Sequence, residues 1–414
     1  MKKRFSSIVI VLGLWGCSLP DAIWIQPNPY APGDDTERIG TDTDTSLCLP
    51  CDTDCSCDTH CPFCPCAGTD SAHTSTDSGP PAQEGPRNLI LFIGDGMGYA
   101  HVEAAGCRAH GESGGLAFEQ FSSHASMMTQ SSNNPVTDSA AGGTAIATGR
   151  KVNNGVIAMA IPGSGNELPT IADYYRSIGR SIGIVSTAHM TSATPAAFVG
   201  HAPLRTEFTT IARSCFETGL PDILMGGGGR GIIIEDAQAA GYRVVTGRDE
   251  LASVNTAGAA RWLGHFGEDN MPYELDGIGD LPHLYEMTAQ SIAFLSSDPD
   301  GFFLMVEGGR IDHASHLNDT ARMIEEMLAF ELAVETATNA SLDPDETLIL
   351  VTADHECGGL QVIKCNDAGL LPDVQWTTSV HTGVPVPVYA QGPFADRFSG
   401  TIDNTRIYQI LTGG

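Results

Sequence analysis

Positive charge is what this sequence has least of. Its 21 Lys and Arg stand against 50 Asp and Glu, a formal net charge of −29. A surface so acidic repels nucleic-acid backbones and anionic lipid head groups, which argues against both as partners and leaves solubility as its use. Long apolar runs are missing too, since the stretch 8–15 is too short to span a bilayer. Gly226 to Gly229 lack the Lys-Ser/Thr that a nucleotide-binding loop needs, so they read as a turn. From about Asp21 to Pro86 large apolar side chains are sparse, which excludes a packed core there.

What is present divides the chain in three. Residues 1–16 have the pattern of a bacterial export signal, with Lys2, Lys3 and Arg4 ahead of an apolar run and a small residue before Cys17. Leu14-Trp15-Gly16-Cys17 is similar to a lipobox, which predicts a lipidated Cys17 anchoring the protein to a membrane, with plain secretion as the alternative. Ser18 fits sorting to the outer membrane, and the expected location is the periplasm or cell surface. Residues 17–86 read as an acidic tether containing Cys48, Cys51, Cys55, Cys57, Cys61, Cys64 and Cys66, a density that in an exported protein suggests a disulfide knot rather than a metal site, with one thiol unpaired or bridging chains.

From Arg87 to Gly414 the composition becomes that of a folded domain. Residues 88–93, 181–185, 222–225, 302–306, 347–352 and 385–389 read as buried strands, separated by helical stretches at 170–178, 283–295 and 319–339. Strand alternating with helix gives an α/β fold: a mostly parallel central sheet with helices on both faces. Sites in such folds form beyond the carboxyl ends of the strands. Polar residues recur there, with Asp95 after the first strand, Glu307 after the fourth, and Asp354 and His355 after the fifth.

The stretch Phe302 to His316 concentrates this chemistry. A helix starting near Arg310 would put Asp312 and His316 on one face with His313 beside them, a donor pair suited to zinc. An acid-capped helix start with a solvated histidine reads equally well. Ser139 lies near the start of a small-residue helix, where free N–H groups favour a phosphate, although Asp138 or Ser139 could be an N-cap alone. His381 sits on the loop before the last strand.

Taken in order, LILFIGDGMG, VTDSAAGGTAIATG, ATPAAFVGH leading to Arg205, FFLMVEGGRIDHASH, LVTADH and HTG closely resemble the alkaline phosphatase family over nearly all of the chain from Arg87 onward. The resemblance implies hydrolysis of phosphate monoesters with two zinc ions and one magnesium ion. Asp312, His316 and His381 would hold one zinc, while Asp354, His355 and Asp95 would hold the second. Thr194 and Glu307, with Asp95, would hold magnesium. Ser139 would attack phosphorus to give a phosphoserine, Arg205 would clamp the phosphoryl oxygens, and Asp138 would hold Arg205.

Departures from the family pattern are Ser192, beside the third ion, and His313, read as a neighbour of the site rather than a ligand. The short segment between His355 and His381 leaves oligomeric state open, a dimer included. Cys357 with Cys365 and Cys107 with Cys215 are the expected disulfides. His189 and His201 are expected to be structural. Competing functions are a phosphodiesterase or sulfatase on the same scaffold and a surface lipoprotein that only binds phosphate or metal. A sulfatase would want Cys/Ser-x-Pro-x-Arg, and Ala140-Ala141-Gly142 follow Ser139 instead. A mere binder has no use for the nucleophile.

Overall fold

Runs such as Asn-Leu-Ile-Leu-Phe-Ile-Gly and Phe-Phe-Leu-Met-Val-Glu-Gly are apolar at successive positions, so strands made from them must be covered on both faces. A computed structural model describes residues 85–255 and 261–413. In it every residue of Asn88–Gly94 and Phe302–Gly308 is buried. The expected leader, Cys17 and the group Cys48 to Cys66 lie outside the described residues.

These two strands are central in a ten-stranded sheet. Its spatial order is Gly400–Asp403, Ser123–Met128, Val386–Gln391, Thr347–Thr352, Asn88–Gly94, Phe302–Gly308, Ser181–His189, Ile223–Gly227, Arg261–His265, Tyr242–Val245. Neighbours pair in parallel except for Val386–Gln391, which is antiparallel to both strands beside it. The chain leaves Thr347–Thr352 at the carboxyl end, makes two short ribbons and re-enters from that same end, so the returning strand must run the other way. Two groups of helices cover the faces. Tyr99–His110, Leu284–Leu295 and Thr320–Thr338 pack together on one, while Ser139–Thr148, Ile171–Ser177, Ala193–Val199 and Thr405–Leu411 pack on the other. Among the described residues no helix is long and apolar enough to cross a membrane.

Register sets the site. Ile93 lies opposite both Glu307 and Thr352, so Asp95 and Asp354 emerge level with each other, two residues beyond the row that holds Glu307. The strand expected to end at 185 continues to His189, and Ser186 pairs with Glu307.

The expected disulfide pairings are corrected. Cys107 bonds Cys365, while Cys215 and Cys357 are free and buried. Cys107 lies on the helix that packs against the ribbon of Gln361–Lys364, and the Gly369 N–H donates to the Arg108 carbonyl at 2.8 Å, which brings Cys365 to it. Cys357 is instead turned inward, its N–H donating to the Gly96 carbonyl. Closing so long a loop restricts the unfolded chain, and replacing Cys107 and Cys365 together by Ser should cost about 2–5 kcal/mol, seen as a lower melting temperature without reductant.

Glu326, on Thr320–Thr338, is 3% exposed and accepts the Glu274 N–H at 2.8 Å. Burial pushes its carboxyl up to about 8, with the charges of Glu274 and Asp276 adding and Arg310 opposing. The native state thus keeps a proton that the unfolded chain has released, and this group costs stability as pH rises from about 4.5 to about 8. Glu326→Gln should therefore raise the melting temperature over the parent chain at about pH 9, by the equivalent of roughly 2–4 kcal/mol, with little difference at about pH 4.

Candidate active site

Ser139 opens the helix Ser139–Thr148, built of Ser, Ala, Gly and Thr so that it can lie against the sheet end. A Cβ at Gly142 would meet the Asp354 carbonyl oxygen at 2.9 Å. Asp138 is the N-cap, accepting the Ala141 N–H at 3.0 Å, and it also accepts the Gly155 N–H and holds Arg205 at 3.1 Å. It therefore caps the helix and anchors the arginine at once. The Ser139 Oγ lies 3.2 Å from His355 Nε2 and is 3% exposed.

Two donor clusters adjoin this serine. Asp312, His316, Cys357 and His381 form one, and Asp95, Asp354 and His355 the other, with the donor atoms of each within 4.8 Å of one another. Rings of His355 and His381 stack at 3.6 Å between centroids, joining the two. Asp312 and His316 share a face of the helix Arg310–His316, as their spacing predicts.

The histidine tautomers are fixed from behind. His316 Nδ1 donates to the Ser379 carbonyl at 2.7 Å and His381 Nδ1 to the Thr137 carbonyl at 3.0 Å. In the neutral rings both Nε2 atoms then bear lone pairs, yet they face each other at 3.1 Å. Such an arrangement needs a proton or a cation between them. Without a cation a ring must take up a proton, and Asp312 stands ready to accept it in a hydrogen bond, 3.3 Å from His316 Nε2 and 3.4 Å from His381 Nε2. Burial pushes the Asp312 carboxyl up, but the hydrogen bonds from His316 and His381 outweigh this and hold it well below the usual range. The same bond raises His316 to about 9.

The second cluster shows the opposite strain. Burial, then the charges of Asp354, Asp312 and Glu307, drive the Asp95 carboxyl well above its ordinary value. Asp354 is raised to about 6 by burial and then by Asp312. His355, fully buried, is held well below the usual imidazole range by burial and then by His381. Asp95 Oδ1, Asp354 Oδ2 and His355 Nδ1 are buried without hydrogen-bond partners.

Thr194 and Glu307 are both 0% exposed and lie side by side. Glu307 Oε2 accepts the Ser186 hydroxyl, whereas Glu307 Oε1 and Thr194 Oγ1 are left without a well-formed partner. Burial lifts Glu307 to about 8. Orphaned oxygens packed this closely, with the Arg205 guanidinium offsetting little of the charge on Asp95, fit divalent cations: oxygen-only donors at Thr194 and Glu307, mixed nitrogen and oxygen elsewhere.

His313 Nδ1 faces Arg310 Nη1 at 2.7 Å, and His189 and His201 bond to Thr191 and to the Leu168 carbonyl. None belongs to a donor cluster. Ser192 is the N-cap residue of Ala193–Val199. Sequence reading missed Ser186, which holds Glu307, and Asn154, which accepts the Asp138 N–H at 3.3 Å. It also missed Cys357 as a neighbour of Asp312. None carries a local motif.

An α/β sheet with carboxylates and imidazoles placed to hold cations beside a serine at a helix start points to a metal-dependent hydrolase. The family model described as Alkaline phosphatase matches residues 86–228 and 225–372. "Alkaline phosphatase 3" of Bacillus subtilis is 30% identical over 78% of this chain and 88% of its own. "Streptomycin-6-phosphate phosphatase" of Streptomyces griseus is 31% identical over 83% and 93%. Among solved structures, a cold-active alkaline phosphatase from Shewanella sp. superposes with a TM-score of 0.72 at 30% identity, over 78% of this chain and 98% of that one. The chain belongs to the alkaline phosphatase family and is a phosphatase.

Removing metal by chelation should lower the melting temperature, and zinc added at about a hundredfold over its Kd should restore about 2.7 kcal/mol per site. A melting curve indifferent to chelator and zinc would sink the cation reading of the clusters.

Proposed function

We propose that this protein hydrolyses phosphate monoesters through a phosphoserine at Ser139, using two zinc ions and one magnesium ion. Asp312, His316 and His381 would hold one zinc, and Asp354, His355 and Asp95 the other. Asp95, Thr194 and Glu307 would hold magnesium; a variant of the alkaline phosphatase from the Antarctic bacterium TAB5 carries Mg in its M3 site. The observation that carries this reading is the Ser139 Oγ at a helix N-terminus, 3.2 Å from His355 and flanked by both donor clusters.

The chain's own groups divide the work. Arg205, oriented by Asp138, offers parallel N–H donors to two phosphoryl oxygens. The helix dipole adds positive potential at the same point. Ser139 Oγ attacks phosphorus in line and the alcohol leaves; water then attacks phosphoserine from the vacated side, releasing orthophosphate. Divalent ions, when bound, supply the charge that acidifies the serine hydroxyl and stabilises the departing alkoxide. Asp95, Glu307 and Asp354 keep that charge in place. Little else grips the substrate, so broad monoester specificity follows, and the relative named for streptomycin 6-phosphate supports small organic phosphates as substrates.

We further infer export, with residues 1–16 as signal, 17–86 as a tether lipidated at Cys17, and 87–414 as the catalytic domain. The Cys107–Cys365 disulfide supports an oxidising compartment.

With an aryl phosphate at alkaline pH, zinc and magnesium, the parent chain should release phosphate and Ser139→Ala should lose at least about a thousandfold in kcat. Arg205→Lys should chiefly raise KM, because one ammonium cannot reproduce the fork. Rapid acid quenching should trap phosphate on Ser139. Turnover of diesters in preference to monoesters, or full activity in Ser139→Ala, would overturn the proposal.

A further inference from the structure

Cys357 was expected in a disulfide, and the fold frees it. Its backbone forms a two-residue antiparallel ladder in which Cys357 lies directly opposite His381. Opposed residues in such a pair project to the same face. Gly96, at φ +75°, presses on the same spot: a Cβ there would meet Asp312 Oδ1 at 2.9 Å and Cys357 Cβ at 3.0 Å. The thiol is thereby confined beside Asp312 and is 0% exposed. Its sulfur shares a 4.8 Å neighbourhood with the donor atoms of Asp312, His316 and His381. Tetrahedral zinc, with bonds of about 2.0–2.3 Å, holds its donors roughly 3–4 Å apart, so a small contraction completes the set.

A buried thiol alone would be no more than packing. Two further observations point to a ligand here: Asp312 Oδ1, in a residue 4% exposed, has no well-formed hydrogen bond, and the Nε2 atoms of His316 and His381 converge at 3.1 Å.

We propose that Cys357 is a fourth protein donor to the cation held by Asp312, His316 and His381, an inference that rests on the metal reading above. The metal–sulfur bond forms as the thiol gives its proton to solvent. Sulfur biases the site toward zinc, cobalt and cadmium and away from magnesium. Zinc can accept a fifth donor, so the sulfur does not shut substrate out.

The test loads the full chain with cobalt(II) after chelation and compares it with Cys357→Ser. The expected result is a sulfur-to-cobalt charge-transfer band in the near ultraviolet that disappears from the parent-minus-variant comparison when Cys215→Ser replaces Cys357→Ser, with zinc affinity lowered about tenfold or more in Cys357→Ser only. Matching melting curves of the two variants exclude misfolding. A crystal of the zinc-loaded parent chain supplies a measurement free of substitution, with Sγ expected at about 2.3 Å from the ion. Identical cobalt spectra in parent and Cys357→Ser, or a sulfur beyond about 3 Å, overturn the sulfur donor and leave the metal site standing. No ion between Asp312, His316 and His381 overturns both.

Discussion

Four carboxylates, Asp95, Glu307, Asp312 and Asp354, are buried around one end of one sheet, and the geometry of the active site answers to that concentration of like charge. In the protein alone three of them are driven toward the neutral acid, and Asp312 escapes by accepting hydrogen bonds from two imidazoles. Bare burial of such a group costs far more than the local hydrogen bonds return. Divalent cations reverse the sign of this argument, turning mutual repulsion into a preformed cage. The stability of the site and its chemistry therefore have one source.

The cage is held in shape by carbonyls, hydroxyls and a carboxylate that stand behind it. Carbonyls of Ser379 and Thr137 set the tautomers of His316 and His381, Ser186 turns Glu307, and Asp138 aims Arg205 while capping the helix that carries Ser139. Gly142 lets that helix approach the Asp354 carbonyl closely enough for the serine to meet His355. Each is a backbone or hydrogen-bond constraint on a polar or charged group of the site, and under the proposed function these fixed charges would meet a phosphate dianion in a protein that is acidic overall.

The central strands were legible because a two-sided buried strand leaves a continuous apolar run, and 88–93, 302–306 and 347–352 are such runs. The edge was harder. Ser123–Met128 is half exposed and carries Ser and His, Gly400–Asp403 has one large apolar residue, and the pairs Tyr242–Val245 and Arg261–His265 are short, so none stood out from loop. The mistaken cysteine pairings have a similar root. Cys357 and Cys365 are close in sequence, but the ribbon between Thr347–Thr352 and Val386–Gln391 sends one inward to Asp312 and the other outward to the Tyr99–His110 helix.

By itself the sequence determined which groups could do chemistry: the helical spacing of Asp312 and His316, the acids at strand ends, the serine behind an N-cap, and an ordered set of strings that resembles one family. Those are local properties, carried by periodicity and by short motifs. Tertiary structure decided what faces what: the register that levels Asp95 with Asp354 just beyond Glu307, the carbonyls that point two imidazole Nε2 atoms at each other, and the ladder that sets a free thiol beside Asp312. Such relations depend on pairing between segments far apart in the chain, and no local pattern encodes them.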